Sequence, residues 1–192
     1  MCNVKNSDGL GSFKFAKDNK VVTKRLDIVT SRVVKYMIAK CISLSAAESC
    51  TGGLISQSVT SVPGASAVYH GGVCSYTEDV KREVLGVSGE TLRKFSVYSP
   101  EVASEMSAGV MKLMRTDAAI GVTGIAGPAG GSDEKPVGTV FVSVRYKDRE
   151  CVRDLALYKE YEQLDRESIR ILSAAYALEM LEQLIKNESE VC

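Results

Sequence analysis

The chain has 192 residues, of which 45% are hydrophobic, and its 24 basic and 24 acidic side chains give a formal net charge of zero. This length suits one domain that buries a sizeable core. The charge balance gives no electrostatic reason to expect nucleic acid or an anionic membrane as a partner, so we predict a globular protein that binds neither.

The cysteines and the polar N-terminal segment bear on the class of protein. Six cysteines are scattered without a closely spaced pair, and His70 is the single histidine. Zinc sites need closely spaced Cys and His ligands, so we predict no metal, and we interpret the cysteines as reduced thiols. No apolar run approaches the roughly 20 residues that span a membrane, and the polar N-terminus is unlike a signal peptide. Together these features predict a cytoplasmic protein.

The predicted elements follow from hydrophobic spacing and from turn residues. Residues 1–21 carry few core-sized side chains and predict a flexible arm before a domain over 22–192. In chain order the patterns then predict a helix over 22–40, a strand over 42–47, a helix over 54–61, a strand over 68–76, short helices over 78–85 and 89–94, a helix from Ser99 to about 115, a strand over 118–122, a glycine-rich loop over 124–138, antiparallel strands over 139–146 and 151–157, and a helix capped by Asp165 that ends near 186.

Helices therefore alternate with apolar strands, and a pair of adjacent strands comes late in the chain. Alternation of this kind is typical of α/β proteins whose sheet is covered by helices on both faces. The late strand pair adds antiparallel strands to an otherwise parallel sheet. We predict a single-domain α/β fold, a three-layer α/β/α sandwich with a mixed sheet.

The most informative segment is Glu48-Ser49-Cys50-Thr51-Gly52-Gly53, between a predicted strand and a predicted helix. The corner places Ser49 at the carboxyl end of a strand, where α/β proteins build their sites. The two glycines let the backbone approach a ligand, and free N–H groups at the start of the helix suit an oxyanion or a phosphate. The segment lacks the G-x-S-x-G pattern, and a simple capping turn is the alternative interpretation.

A second segment, residues 71–81, could supply a base for this serine. It places Tyr76 at the end of a predicted strand and Lys81 about one turn into a helix. A serine nucleophile needs a base, and one histidine in the whole chain supplies a His-based triad poorly. A lysine made less basic by burial could serve instead, whereas the alternative is a solvated lysine on a helix surface.

A third segment, residues 121–139, is a glycine-rich loop that follows a core strand. Such a loop can surround a phosphate with backbone amides. It matches neither the Walker pattern nor G-x-G-x-x-G, so it predicts no nucleoside triphosphate and no Rossmann site. A long surface loop is the alternative interpretation.

Together these segments resemble the C-terminal domain of the CinA (competence-damage) family. The resemblance covers about residues 22–186 and rests on A-E-S-C-T-G-G at 47–53, G-G-V-x-S-Y-x-x-x-x-K at 71–81, and G-V-T-G-I-A-G-P with K-P-V-G-T-V between 121 and 140. Stand-alone members of that family are nicotinamide mononucleotide amidohydrolases. The resemblance implies deamidation to nicotinic acid mononucleotide and ammonia, in pyridine nucleotide recycling, without metal or cofactor.

The resemblance also implies roles for individual residues. Ser49 would attack the carboxamide carbon, Lys81 would act as general base, and Tyr76 would help to shuttle the proton. The implied substrate-binding residues lie in the loops and at the start of the last helix: Thr51, Gly52, Gly53, Thr123, Gly124, Gly127, and Arg166 or Arg170 for the phosphate.

The chain departs from the usual family pattern in two places. Thr77-Glu78-Asp79 follows Tyr76 where the family usually has Ser-Asn-Glu, and this change leaves Ser49, Tyr76 and Lys81 untouched. Leu164 stands where a glycine usually precedes Asp-Arg, and this second change bears on the position of Arg166.

Two alternatives stay open at this point. Cys50, beside Ser49, could be the nucleophile if the start of the helix lowered its pKa. A non-catalytic CinA-like protein could instead keep the pocket and act as a nucleotide-binding or regulatory protein linked to competence or DNA damage. We expect a pyridine mononucleotide as the small-molecule partner and a homo-oligomer, because the apolar strand and helix faces leave room for a homodimer.

Overall fold

The computed structural model describes residues 19–161 and 164–187 of the chain. Over these residues it contains seven α-helices, one 3-10 turn and one five-stranded sheet. In chain order they are α1 (Asn19–Lys40), β1 (Leu44–Glu48), α2 (Leu54–Thr60), the 3-10 turn (Ala65–Ala67), β2 (Tyr69–Cys74), α3 (Glu78–Leu85), α4 (Gly89–Phe95), α5 (Pro100–Met114), β3 (Ala118–Gly124), β4 (Val140–Tyr146), β5 (Arg149–Asp154), α6 (Leu157–Glu160) and α7 (Arg166–Lys186).

The predicted N-terminal arm lies almost wholly outside the described residues. Its last three residues, 19–21, already belong to α1, so the helix begins earlier than the expected residue 22. No helix in the described part of the chain combines the length and the apolarity needed to cross a membrane.

The sheet is mixed, as predicted, with the strand order β2-β1-β3-β4-β5. Strand β1 is parallel to both β2 and β3, whereas β4 is antiparallel to β3 and β5. The carboxyl ends of parallel strands meet at the same edge of a sheet. The segments that follow β1, β2 and β3 are therefore neighbours at one edge.

Helices cover both faces of this sheet and bury two separate cores. Helices α1, α2 and α7 pack on one face around the larger core, which includes Met37 and Leu178. Helices α3, α4 and α5 pack on the other face around a smaller core that includes Met106. This arrangement confirms the predicted three-layer α/β/α sandwich.

The helix starts follow the predicted capping chemistry. The Ser99 side chain accepts a hydrogen bond from the Val102 N–H, with Pro100 at the first position of α5. The Asp165 side chain accepts from the Ser168 N–H at the start of α7. Side-chain oxygens at these positions satisfy N–H groups that have no partner within the helix.

The last strand and β2 differ from their predicted bounds. Strand β5 covers Arg149–Asp154 rather than 151–157, because Ala156 adopts a left-handed backbone with φ of 43°. Leu157 then begins the short helix α6 and is fully buried. Leu157 is therefore apolar because it is buried in the core, and not because it belongs to the strand. Strand β2 is shorter at both ends than the predicted 68–76.

Gly109 of α5 allows this helix to lie against the end of α3. A Cβ at this position would overlap the carbonyl oxygen of Leu85, the last residue of α3. We expect Gly109→Ala to lower the free energy of unfolding by roughly 1–3 kcal/mol, because the two helices must separate to accept a methyl group. Urea unfolding at equilibrium measures this change.

Gly89→Ala is the matched control, because a Cβ at Gly89 in α4 meets only the Arg93 guanidinium, at 3.7 Å. Alanine without a steric conflict stabilises a helix by roughly 0.5–1 kcal/mol relative to glycine. If both variants were stabilised alike, the close approach of α3 and α5 would not limit the residue at 109.

Candidate active site

Ser49 and Lys81 form a buried pair at the sheet edge where β1 and β2 end. The Lys81 Nζ lies 3.2 Å from the Ser49 Oγ and donates to the Ser75 carbonyl oxygen at 2.7 Å. Ser49 is 6% exposed and Lys81 only 2%. A lysine amine within hydrogen-bond distance of a serine hydroxyl is one of the arrangements that can activate a serine nucleophile.

The pair is assembled by the register between neighbouring strands. Glu48, the last residue of β1, is opposite Cys74, the last residue of β2. The pairing continues one residue beyond β2, because the Ser75 N–H donates to the Glu48 carbonyl at 2.8 Å. Thr77 then caps α3 and directs its first turn, with Lys81, back toward Ser49.

Burial lowers the pKa of Lys81 below its ordinary value, and the nearby acidic groups, Glu78 among them, oppose this shift only in part. The physical cause is that removal from water disfavours the charged ammonium more than the neutral amine. A lysine with a lowered pKa spends more of its time as the neutral amine that can accept a proton. The structure thus rejects the alternative of a solvated surface lysine.

Cys50 is a poor candidate for the nucleophile. Its side chain is 5% exposed and packs in the larger core. Burial raises the pKa of the Cys50 thiol to about 12. Because the thiolate is the reactive form, a raised pKa makes this cysteine inert. Among the residues that the structure describes, no two cysteines form a disulfide bond with each other.

The turn between β1 and α2 is held in one shape by glycines and by Arg170. Gly52 and Gly53 have φ angles of 59° and 91°, in the left-handed region that favours glycine. The Gly52 N–H donates to the Ser49 carbonyl at 3.0 Å. Arg170 donates through Nε and Nη2 to the Thr51 carbonyl at 3.1 and 2.8 Å. Arg170 therefore joins the start of α7 to this turn.

The start of α2 does not offer the free N–H groups that we expected there. The Glu48 carboxylate accepts from the Ile55 N–H at 3.0 Å and from the Ser56 N–H at 2.8 Å. The prediction that this helix start could bind an anion is therefore wrong, because a carboxylate already occupies it.

The backbone amides earlier in the turn differ from those at the start of α2 in their hydrogen bonding. The N–H groups of Cys50, Thr51 and Gly53 donate to no carbonyl or carboxylate oxygen of the residues that the structure describes. The Thr51 Oγ1 is buried, and it too has no hydrogen-bond partner in this part of the chain. A buried hydroxyl normally has a partner, so the Thr51 Oγ1 is a candidate to contact a ligand, and the three amides lie in the same turn.

Tyr76 is an exposed residue whose hydroxyl contacts Arg166. It is 59% exposed, and its hydroxyl accepts from the Arg166 Nη2 at 2.8 Å. Within residues 19–161 and 164–187, neither Ser49 nor Lys81 is a hydrogen-bond partner of Tyr76. The expected proton relay through Tyr76 is not present in this geometry.

Arg166 joins the segment after β2 to the loop after β3. Besides Tyr76, it donates from Nη1 to the Gly127 carbonyl at 2.6 Å. Arg166 and Arg170 both come from the first turns of α7, so both predicted arginines contact loops at the site edge. The change of a glycine to Leu164 therefore does not carry Arg166 away from this edge.

The strand that precedes the glycine-rich loop places Thr123 in a structural contact. Its side chain is buried, and its Oγ1 donates to the Val97 carbonyl at 2.7 Å. Gly124 ends β3, and the predicted loop over 124–138 begins there. Thr123 therefore connects this loop with the α4–α5 connection.

Two residues of the site region were not singled out by sequence reasoning. Lys135 anchors the glycine-rich loop, because its Nζ donates to the Ser96 Oγ at 2.7 Å and to the Tyr98 carbonyl at 2.8 Å. Glu48 is buried at the end of β1. The signal for Glu48 was available, since it is a charged residue at the end of a run of small and apolar residues.

Comparison with known proteins agrees with this fold. The family model for the CinA C-terminal domain matches residues 26–185. A CinA-like protein of Thermotoga maritima is 42% identical over 159 residues, which is 83% of this chain and 38% of that protein. A competence-damage inducible protein of Acetivibrio thermocellus is 44% identical over 151 residues, 79% of this chain and 35% of the relative.

Solved structures give the same result. The competence/damage inducible protein CihA of Agrobacterium tumefaciens matches with a TM-score of 0.79 and 38% identity, over 83% of this chain and 95% of that one. A CinA superfamily protein of Klebsiella pneumoniae matches with a TM-score of 0.78 and 31% identity, over 84% and 98%. By contrast, the chain spans only 35% to 38% of the length of the two curated relatives described above.

Proposed function

Because this chain belongs to the family of CinA C-terminal domains, we propose that it hydrolyses the carboxamide of nicotinamide mononucleotide to nicotinic acid mononucleotide and ammonia. The observation that carries the proposal is the distance of 3.2 Å between the Lys81 Nζ and the Ser49 Oγ. Both groups are buried, so the lysine can hold a neutral amine next to the hydroxyl.

In the first half of the reaction, the Ser49 Oγ attacks the carboxamide carbon while its proton moves to the neutral Lys81 amine. The oxygen of the tetrahedral intermediate becomes negative, and backbone N–H groups of the turn after Ser49 are available to stabilise it. When the carbon–nitrogen bond breaks, Lys81 returns the proton to the departing nitrogen. Ammonia leaves, and a nicotinoyl ester remains on Ser49.

In the second half, water attacks this ester. Lys81 takes a proton from the water and passes it to the Ser49 oxygen as the carbon–oxygen bond breaks. The product is nicotinic acid mononucleotide, and Ser49 and Lys81 return to their starting protonation states. The overall reaction consumes one amide and one water and needs no oxidant and no metal.

Arg166 and Arg170 are the proposed contacts for the substrate phosphate. A guanidinium carries five N–H donors, and each arginine uses only some of them on the loops at the site edge. The remaining donors can meet phosphate oxygens in the paired geometry that arginine favours. The glycine-rich loop from Gly124 to Gly127 borders the same region and would line the nucleotide.

The experiment that tests the proposal incubates the purified protein with nicotinamide mononucleotide in the presence of EDTA and follows ammonia release. We expect turnover, with kcat/KM for nicotinamide riboside lower by about tenfold or more, because the riboside lacks the charge-assisted phosphate contacts. A folded protein that releases no ammonia would overturn the proposal and favour a non-catalytic, nucleotide-binding or regulatory protein.

A further inference from the structure

Glu48 is a buried carboxylate beside the nucleophile that the proposed reaction does not use. It is 1% exposed and is the last residue of β1, directly before Ser49. Its Oε2 accepts from the Ile55 N–H at 3.0 Å, and its Oε1 accepts from the N–H and the hydroxyl of Ser56 at 2.8 and 2.7 Å. Both oxygens are therefore bound to the start of α2.

The contacts of Glu48 continue into β2 through a hydroxyl. The Ser56 Oγ lies 2.7 Å from the Tyr69 hydroxyl. Burial raises the pKa of Tyr69 to about 12, so its phenol keeps its proton and can donate to Ser56. Ser56 can then donate its own proton to the Glu48 carboxylate. One carboxylate thus holds together β1, α2 and β2.

The backbone of Glu48 contacts the other half of the candidate site. Its carbonyl accepts from the Ser75 N–H at 2.8 Å, and the Ser75 carbonyl accepts from the Lys81 Nζ at 2.7 Å. The residue whose side chain holds α2 is therefore also the residue against which the Lys81 segment is paired. A shift of Glu48 would change the distance from the Ser49 Oγ to the Lys81 Nζ. It would also change the distance from the Ser49 Oγ to the amides of the turn.

We propose that Glu48 is a positioning residue that fixes the turn over residues 50–53 relative to the Ser49 Oγ. The turn runs from the strand end to the start of α2, and the Glu48 carboxylate joins these two ends directly. Its negative charge suits the N–H groups and the dipole of a helix start. The amides of the turn, which would bind the oxyanion, are thereby held in place before the substrate arrives. This inference rests on the proposed function.

The test is Glu48→Gln, which keeps the size of the side chain but places an NH₂ group against backbone N–H donors. We expect kcat for nicotinamide mononucleotide to fall by about 10–100-fold, because a small misplacement of the reacting groups is enough for such a loss. KM should change by less than about threefold, because the phosphate contacts are unaffected. Ser56→Ala, which removes one of three donors, should give a smaller loss of the same kind.

Glu182→Gln is the matched control. Glu182 is also a buried carboxylate, 5% exposed, but it accepts from Arg32 and Lys186 between α1 and α7. Its replacement should lower stability toward urea and leave kcat unchanged. If Glu48→Gln behaved in the same way as this control, with wild-type kcat in the folded protein, Glu48 would be merely structural and the inference would be overturned.

A second measurement separates this inference from the choice of substrate. The rate at which a fluorophosphonate labels Ser49 depends on the nucleophile and its surrounding amides, and not on the nucleotide. A Glu48→Gln protein labelled about 10-fold or more slowly supports the inference even if the wild type releases no ammonia. Labelling at the wild-type rate overturns it. A wild-type protein that is neither labelled nor active overturns this inference and the proposed function together.

Discussion

Ser49→Ala is expected to lower kcat for ammonia release from nicotinamide mononucleotide by roughly 10⁴–10⁶-fold, as removal of a serine nucleophile does in other hydrolases. The reason is that alanine offers no oxygen to attack the carboxamide, so no ester can form. Binding of the nucleotide should stay within about threefold, because the arginines and the turn amides remain. Ammonia release and calorimetric titration measure the two quantities separately.

Ser45→Ala provides the control for this substitution. Ser45 is buried in β1, the strand that ends directly before Ser49, but its Oγ lies 2.7 Å from the Thr116 Oγ1 and not beside Lys81. Its loss should lower stability by about 1 kcal/mol and leave turnover near the wild-type rate. Unchanged turnover in Ser49→Ala would show that Ser49 is not the nucleophile.

Lys81→Met is the second large expected effect, with kcat lower by about 10²–10⁴-fold, the usual contribution of a general base. Methionine fills a volume similar to that of the buried lysine but accepts no proton. Arg82→Ala is the matched control, because Arg82 is the next residue of α3 and is exposed. A loss of similar size in both variants would indicate damage to α3 and would contradict the assignment of Lys81 as the base.

The pH dependence of the wild type should carry the signature of Lys81. The neutral amine is the active form, so kcat/KM should rise with pH and reach a plateau above the pKa of Lys81. Since burial lowers that pKa, the midpoint of the rise should lie below the ordinary lysine value. A rise centred on the ordinary value would mean that the base is a solvated lysine.

The free energy of unfolding, like kcat/KM, should rise with pH. Between the lowered pKa of Lys81 and the ordinary lysine value, the unfolded chain binds a proton that the folded protein has lost. The free energy of unfolding therefore rises with pH across this window and is smallest below it. Lys81→Met lacks this dependence, so at neutral pH it should be at least as stable as the wild type. Urea unfolding at neutral and alkaline pH compares the two proteins.

Local patterns were enough to predict most of the fold. Hydrophobic spacing indicated the helices and strands, and the capping residues Ser99 and Asp165 marked two helix starts that the structure confirms. These signals are local, because a cap acts on N–H groups two or three residues away and an apolar face depends only on spacing. The predicted alternation of strands and helices was also sufficient to indicate the α/β/α sandwich with a mixed sheet, which the structure confirms.

The state of each candidate side chain was decided by tertiary structure. Lys81 has the sequence context of an ordinary surface helix, but in the folded protein its amine is buried against the Ser49 hydroxyl and the Ser75 carbonyl. Tyr76 follows β2, the strand that also precedes Lys81, yet its hydroxyl contacts Arg166 of α7, which is 90 residues distant along the chain.

The start of α2 shows the same division between local and distant information. The sequence around Ser49 indicates a strand, a glycine turn and a helix, and all three are present. Whether the first N–H groups of that helix are free depends on where the Glu48 carboxylate points, and spacing along the chain carries no information about that direction. Burial, contacts and pKa depend on distances between segments that only packing brings together. The sequence by itself therefore determined the fold and the candidate residues, and the tertiary structure decided which of them meet.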